Sequence, residues 1–482
     1  MVTDITRAPL AGVSVQLLHE ETNDRRQVST DEDGQFAISA LPPGSYLLEI
    51  EHPSYKQYVQ TIPLQVNQER RVDPILEVGA LTEEVFVVAP AVPLERVSPA
   101  IGTVIENRQV TGLPLDGRNF LELSLLAPGV APAAPGSAGS VRGDFGFHAN
   151  GGREDANSYV LDGVYNVDPK LNAIGVSPPV DAVQEFKILT STYDASFGRN
   201  AGGQVNVVLQ AGTNTLKGAA YEFLRSGALD ARNFFAPRDE DAPEYQRNQF
   251  GFSAGGPISK NRSFFFADYE GRRIREGITR VTNVPTRAER AGDFSQSLFR
   301  RPINPFTQQP FADGRIPSFF IDPIGQALAA LYPEPNRSVP FQNFVSSPLR
   351  RDRVDQFDVR LDQALGTSSD LTIRYSFADR DLFEPFSGTG FSAVPGFGTN
   401  VPRRAQNLAI SERRILSPSL LNEIRFGYGR VASAVWQENR GRSLNRQVGL
   451  PELSSNSRDF GLSFITASGF SPLGDEYNNP QE

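Results

Sequence analysis

The sequence predicts a mainly β chain, and three observations carry that prediction. Apolar and polar residues alternate over many short runs, 42 glycines and 36 prolines supply frequent turns, and runs of helical period are rare. No stretch approaches the roughly 18 apolar residues of a transmembrane helix. Alternating strands can cross a bilayer without forming any apolar block, so a membrane β-barrel fits the same pattern.

Composition narrows the function. The 482 residues carry a net charge of −9, from 47 Lys+Arg against 56 Asp+Glu. Lysine occurs only at Lys56, Lys170, Lys187, Lys217 and Lys260, so nearly all the positive charge is arginine. There is no basic run, which argues against nucleic acid as a partner. Cysteine is absent, which removes disulfide frameworks and cysteine-based zinc sites from consideration. The opening MVTDITRAPLAG has neither the basic head nor the apolar core of a secretory leader.

Residues 1–78 read as a β-sandwich. Val13, Val15 and Leu17 alternate with Ser14, Gln16 and Leu18, as in a half-buried strand. Asp33-Gly34 forms a tight turn, Phe36 and Ile38 share one face, and Pro42-Pro43-Gly44 turns the chain again. Tyr46, Leu48 and Ile50 then mark the next strand. This run resembles the carboxypeptidase regulatory-like domain, a β-sandwich found in front of outer-membrane receptors. The resemblance also implies that Met1 lies inside the first strand of a longer protein.

Residues 79–215 include EEVFVVA at 83–89, a Gly/Ala/Pro-rich linker at 127–140, and NGGREDANSYVLDGVYNVD at 150–168. Val183, Glu185 and Lys187 alternate with Phe186 and Ile188 in one strand. Val205, Val207 and Leu209 form a second strand, and the Gly202-Gly203 pair before it allows close backbone approach. The combination of Asp162-Gly163, Tyr193, Phe197-Gly198, Gly202-Gly203 and Asn206 between Val205 and Val207 resembles the plug of TonB-dependent receptors, most closely the Oar-like group. The resemblance implies a small α/β plug.

Residues 216–482 carry barrel patterning. Phe357, Val359 and Leu361 alternate with Gln356, Asp358, Arg360 and Asp362; a polar GTSSD turn follows. Leu371, Ile373, Tyr375 and Phe377 then alternate with Thr372, Arg374, Ser376 and Ala378. Charges on the second face suit a wet lumen and would not suit a sandwich core. The apolar set is therefore expected to face lipid, with Arg360 and Arg374 facing the lumen or plug. On that reading Val359→Arg costs roughly 2–4 kcal/mol near mid-membrane, and Arg360→Gln far less. Ile424, Phe426 and Tyr428 repeat the pattern, and Asn248–Pro257 with Ser263–Glu270 form a hairpin around PISKNR. The proline-rich stretch 285–350 reads as extracellular loops. The whole is a partial antiparallel transmembrane β-barrel: about 8–12 strands fit, at about 9–11 residues each, where the resemblance implies about 22. The expectation is therefore a fragment at both ends.

Catalytic patterns fail on inspection. None of His19, His52 and His148 begins an H-x-x-E pair. Gly251-Phe252-Ser253-Ala254-Gly255 matches a nucleophile elbow, but no histidine follows it and Pro257 opposes the required helix. Asp31-Glu32-Asp33-Gly34 lacks the later ligands of a calcium loop and reads as a turn. Arg142-Gly143-Asp144 reads as a chance tripeptide in the linker.

The resemblance thus implies a non-enzymatic outer-membrane receptor with no cofactor and with its N-terminal domain in the periplasm. Its partners would be outer-membrane lipid, a TonB-type periplasmic energy-coupling protein, and a ligand such as a siderophore, oligosaccharide or peptide. The coupling segment is expected at Glu83, Glu84, Val85, Phe86, Val87, Val88 and Ala89, an extended run that Pro90 and Pro93 stop. The rival reading is a secreted or surface protein whose sandwich binds carbohydrate.

Overall fold

The computed structural model describes residues 1–79, 84–87, 99–134, 145–231, 244–297, 301–366, 368–388, 390–417, 420–475 and 479–481, with backbone alone for 84–87 and 479–481. The fold is mainly β, in three bodies stacked along the chain.

The first body is the sandwich. Its strands are β1 (Thr3–Asp4), β2 (Ser14–His19), β3 (Arg25–Ser29), β4 (Gly44–Glu51), β5 (Gln57–Leu64), β6 (Ile75–Leu76) and β7 (Glu84–Val87). A five-stranded sheet in the order β3-β2-β4-β5-β7 faces the small parallel pair β1-β6. Period-two alternation sets the register: Val15 lies opposite Ile50 and Leu17 opposite Leu48, and all four are buried. Phe36 and Ile38 pack against this core without forming a strand. The Asp31 carboxylate accepts the backbone N–H groups of Asp33 and Gln35, the turn expected there. The sheet takes in β7, beyond residue 78, as a parallel edge strand beside β5.

The second body is built on β8 (Ile101–Glu106), β9 (Val130–Pro132), β10 (Phe147–Ala149), β11 (Ser158–Leu161), β12 (Val164–Tyr165), β13 (Val183–Ser191) and β14 (Gln204–Leu209). Its main sheet runs β12-β11-β14-β13-β8, with β11 and β14 parallel. The helix α1 (Asn107–Gly112) and a 3₁₀ turn at Phe120–Leu126 close over one face. Phe120, Phe147, Phe186, Ile188, Val205 and Leu209 form the core between them.

The third body is a curved wall made of β15 (Lys217–Ser226), β16 (Tyr245–Ser259), β17 (Ser263–Gly277), a side hairpin β18 (Arg280–Thr282) and β19 (Phe344–Ser346), then β20 (Leu349–Ala364), β21 (Ser369–Glu384), β22 (Thr399–Ser417), β23 (Leu420–Gln437) and β24 (Asn479–Gln481). Eight of these strands form one antiparallel meander, β15-β16-β17-β20-β21-β22-β23-β24, with no pairing between its first and last members among the described residues. Val359, Leu361, Ile424, Phe426 and Tyr428 are exposed on its convex face, whereas Asp358, Arg374 and Ser376 are buried on the other. The expected sidedness therefore holds. The connections from β16 to β17 and from β20 to β21 are short, while those at the opposite end are long. The long ones pack together around Val284, Tyr332, Phe344, Val394, Phe397 and Leu462.

Candidate functional site at the plug and barrel wall

The site begins with a two-residue turn. Leu161 of β11 pairs with Val164 of β12, and between them Asp162 and Gly163 both take positive φ (46° and 78°), the geometry of a type I′ hairpin. This turn carries the Asp162 carboxylate to the wall. There it lies 3.2 Å from Nε of Arg374 on β21 and 3.6 Å from Nη1 of Arg360 on β20. It also accepts the Leu209 N–H at 3.2 Å, which ties the tip back to β14.

Arg374 is fully buried, and its planar fork is satisfied on every side. It donates to Ser376 Oγ (3.0 Å), the Asn407 carbonyl (3.0 Å), Asn407 Oδ1 (2.8 Å) and the Leu161 carbonyl (2.9 Å). Arg360 makes a two-pronged pair with Asp362 (2.9 and 3.1 Å) and donates to the Leu209 carbonyl at 2.9 Å. A third arginine, Arg403, donates to the Ile174 carbonyl at 2.6 Å. Asn407 reaches the Tyr165 carbonyl at 2.9 Å, and Arg425 the Gly163 carbonyl at 3.2 Å.

One pattern unites these contacts: wall side chains donate to carbonyl oxygens of the inner body. Phe266, by contrast, is the one wall residue within the inner body's apolar core among the described residues. The inner body thus buries its own hydrophobic core and meets the wall mainly through polar groups that water could replace. On the other flank, Arg118 lies 4.6 Å over the rings of Tyr221 and Phe223 on β15, and Arg247 pairs with Asp116 at 2.8 Å.

The remaining motif residues sit elsewhere. Gly202 and Gly203 immediately precede β14, at the end of the β11–β14 pair opposite Asp162. A Cβ on Gly202 would lie 2.6 Å from the Ala156 carbonyl, and the Gly203 N–H donates to Asn157 at 2.9 Å. Tyr193 donates to the Gly202 carbonyl at 3.2 Å and meets Phe197 edge-on, while Gly198 lies in the same loop with open space beside it. Asn206 is buried mid-sheet, opposite Lys187 and Val160. The structure therefore splits the motif into a wall contact and a loop clasp.

Of the expected coupling segment, Glu84, Val85, Phe86 and Val87 form β7; Glu83, Val88 and Ala89 lie outside the described residues, as does Arg142-Gly143-Asp144. Gly251–Gly255 lies in the middle of β16, with Ser253 opposite Asp268, so the backbone there is strand and not an elbow. Sequence reasoning did not single out Asn407, Arg403, Arg425 or Asn157. Their partners are backbone carbonyls and amides, which leave no mark in a sequence.

The first and third bodies each match a known family. Residues 1–77 match the carboxypeptidase regulatory-like domain. Over 294 residues the chain is 29% identical to the TonB-dependent transporter Oar of Myxococcus xanthus, which covers 58% of this chain and 27% of that protein. The chain thus spans about a quarter of the length of this relative. Among solved structures it is similar to the outer membrane transporter YddB from Escherichia coli (TM-score 0.46, 13% identity, 80% of this chain and 44% of that one). It is also similar to a ferric enterobactin receptor mutant from Pseudomonas aeruginosa (TM-score 0.42, 12% identity, 70% and 42%). The relatives named are transporters and receptors. Residues 208–482, more than half of the chain, match the outer membrane beta barrel domain, and the chain belongs to that family of outer-membrane proteins.

Proposed function

We propose that the chain is part of a TonB-dependent transporter that takes up a ligand across the outer membrane without breaking a bond in it. The observation that carries this reading is the contrast between the inner body's own apolar core and its polar seat on the wall. Such a plug can be displaced as a folded unit while water takes over the hydrogen bonds it leaves. The long connections, packed around their own cluster, form the extracellular end, where a siderophore, oligosaccharide or peptide would bind. The sandwich sits at the short-turn end and therefore faces the periplasm.

The pull enters through residues 83–89. Strand β7 ends the order β3-β2-β4-β5-β7, so its far edge has no strand partner among the described residues. A partner's strand can add there by backbone hydrogen bonds. The test places a photo-crosslinking residue at Phe86 of the full-length receptor in energised cells. An adduct with TonB is expected and should be lost in Val87→Pro, which removes a backbone donor. A folded receptor that gives no adduct from any position between Glu83 and Ala89 overturns the assignment.

A further inference from the structure

Strand β13 is amphipathic in the usual sense: Phe186 and Ile188 enter the plug core, while Glu185 and Lys187 lie on the other side. That polar side would ordinarily meet water. Here it is covered, and Glu185 and Lys187 are only 7% and 4% exposed. The cover is the loop after β5. The Val66 N–H donates to the Glu185 carboxylate, Lys187 donates to the Asn67 carbonyl at 3.2 Å, and Gln65 donates to Glu106 at 2.8 Å. A second set of contacts ties the sandwich to the barrel rim: Arg26 to Asp370 at 2.7 Å, Glu21 to Lys217 at 2.7 Å, and Asn23 to Asn261 at 3.0 Å.

These are contacts of a docked part. Crevices of about 540 and 750 Å³ separate the sandwich from the plug and rim, and both reach Arg360. The sandwich core and the plug core are separate clusters. We propose that the N-terminal sandwich is a reversible cap on the plug, latched through Glu185 and Val66. Its role as a gate rests on the transport reading; the docking equilibrium does not.

The latch responds to pH. Burial pushes the Glu185 carboxyl up to about 7, and the facing Glu106 on β8 adds to this. The Val66 N–H and Lys187, on Glu185's own strand, act in the opposite direction. For an undocked, water-exposed carboxyl the ordinary value of 4.5 applies. Because the docked value is the higher one, docking is strongest below pH 4.5 and weakens as pH rises through about 7. Linkage between those two values gives a docking constant that falls roughly 70-fold between pH 5 and pH 8.

The experiment is hydrogen exchange of the intact receptor in detergent, followed on a peptide spanning Gln65–Gln68 and corrected for intrinsic rates. Protection should fall roughly 70-fold from pH 5 to pH 8 in the wild type. It should stay constant in Glu185→Gln, whose amide oxygen still accepts from Val66. A control peptide from β4 should be unaffected, which separates undocking from unfolding of the sandwich. Protection independent of pH, or a Glu185→Gln receptor that follows the wild type, overturns the latch. A receptor that fails to cross-link to TonB but shows the pH response would overturn the coupling assignment and leave the latch standing.

Discussion

Arg374, fully buried on the barrel wall, lies 3.2 Å from Asp162 at the tip of the plug's type I′ turn. Removing one partner of a buried ion pair leaves the other charged and desolvated. Asp162→Asn should therefore destabilise the seated plug by about 3–5 kcal/mol. Asparagine tolerates the positive φ and can still accept from Leu209, so the change isolates the charge. Thermal unfolding and plug proteolysis should both shift. The double variant Asp162→Asn/Arg374→Gln should lose less than the sum of the two single variants.

Two glycines on β23 should differ in tolerance. A Cβ on Gly427 would lie 2.5 Å from Val164 on the plug, whereas Gly429 has its nearest neighbour at 3.7 Å. Gly427→Val should lift the plug edge and raise passive entry of large antibiotics into cells. Gly429→Ala should leave entry at the wild-type level. Equal behaviour of the two would contradict the packing described.

The sequence pattern alone put Val359 on the lipid side and Arg360 on the side of the lumen or plug, with Arg360→Gln expected to be mild. The placement holds, but the mildness does not follow, because Arg360 pairs with Asp362 and Asp162 and donates to the Leu209 carbonyl. Val359→Arg should cost roughly 2–4 kcal/mol and reduce insertion into the membrane. Arg360→Gln should leave insertion intact and loosen the plug, with a loss of about 3 kcal/mol for the broken buried pair. Heat-modifiable migration on gels reports the first effect, and plug proteolysis the second.

At the rim, Asp370 is shared by Arg26 and Arg413 and is largely buried, while the Glu21–Lys217 pair is open to solvent. Exposed pairs contribute about 0–1 kcal/mol. Asp370→Ala should therefore lower protection of the docking loop at 65–68 far more than Glu21→Ala does. The same ranking should persist at raised salt, which screens exposed pairs more than buried ones.

Local patterning was readable wherever one face of a strand is apolar and the other is not. Val13–Leu17, Phe357–Leu361 and Leu371–Phe377 take up the sides that their alternation assigns. Asp162-Gly163 was named for the plug resemblance and not as a turn, although few residue pairs tolerate two successive positive φ values. Glu185 was not readable in the same way. Alternation identifies a polar face but not that another domain will cover it. The pairing of β7 with β5 was equally hidden, since it joins residues 84–87 to 57–60 in parallel with no turn signal between them.

The carbonyl contacts at Leu161, Gly163, Tyr165, Ile174 and Leu209 bear on how such a molecule can change over generations. Every residue type carries the same carbonyl, so the wall recognises the course of the plug's main chain with little regard to its side chains. Point substitutions on the plug surface can accumulate without unseating it, provided the backbone path is kept. A plug transplanted from a distant relative with the same hairpin geometry and an aspartate at its tip should seat in this barrel, making the two parts interchangeable to a degree their sequences would not suggest.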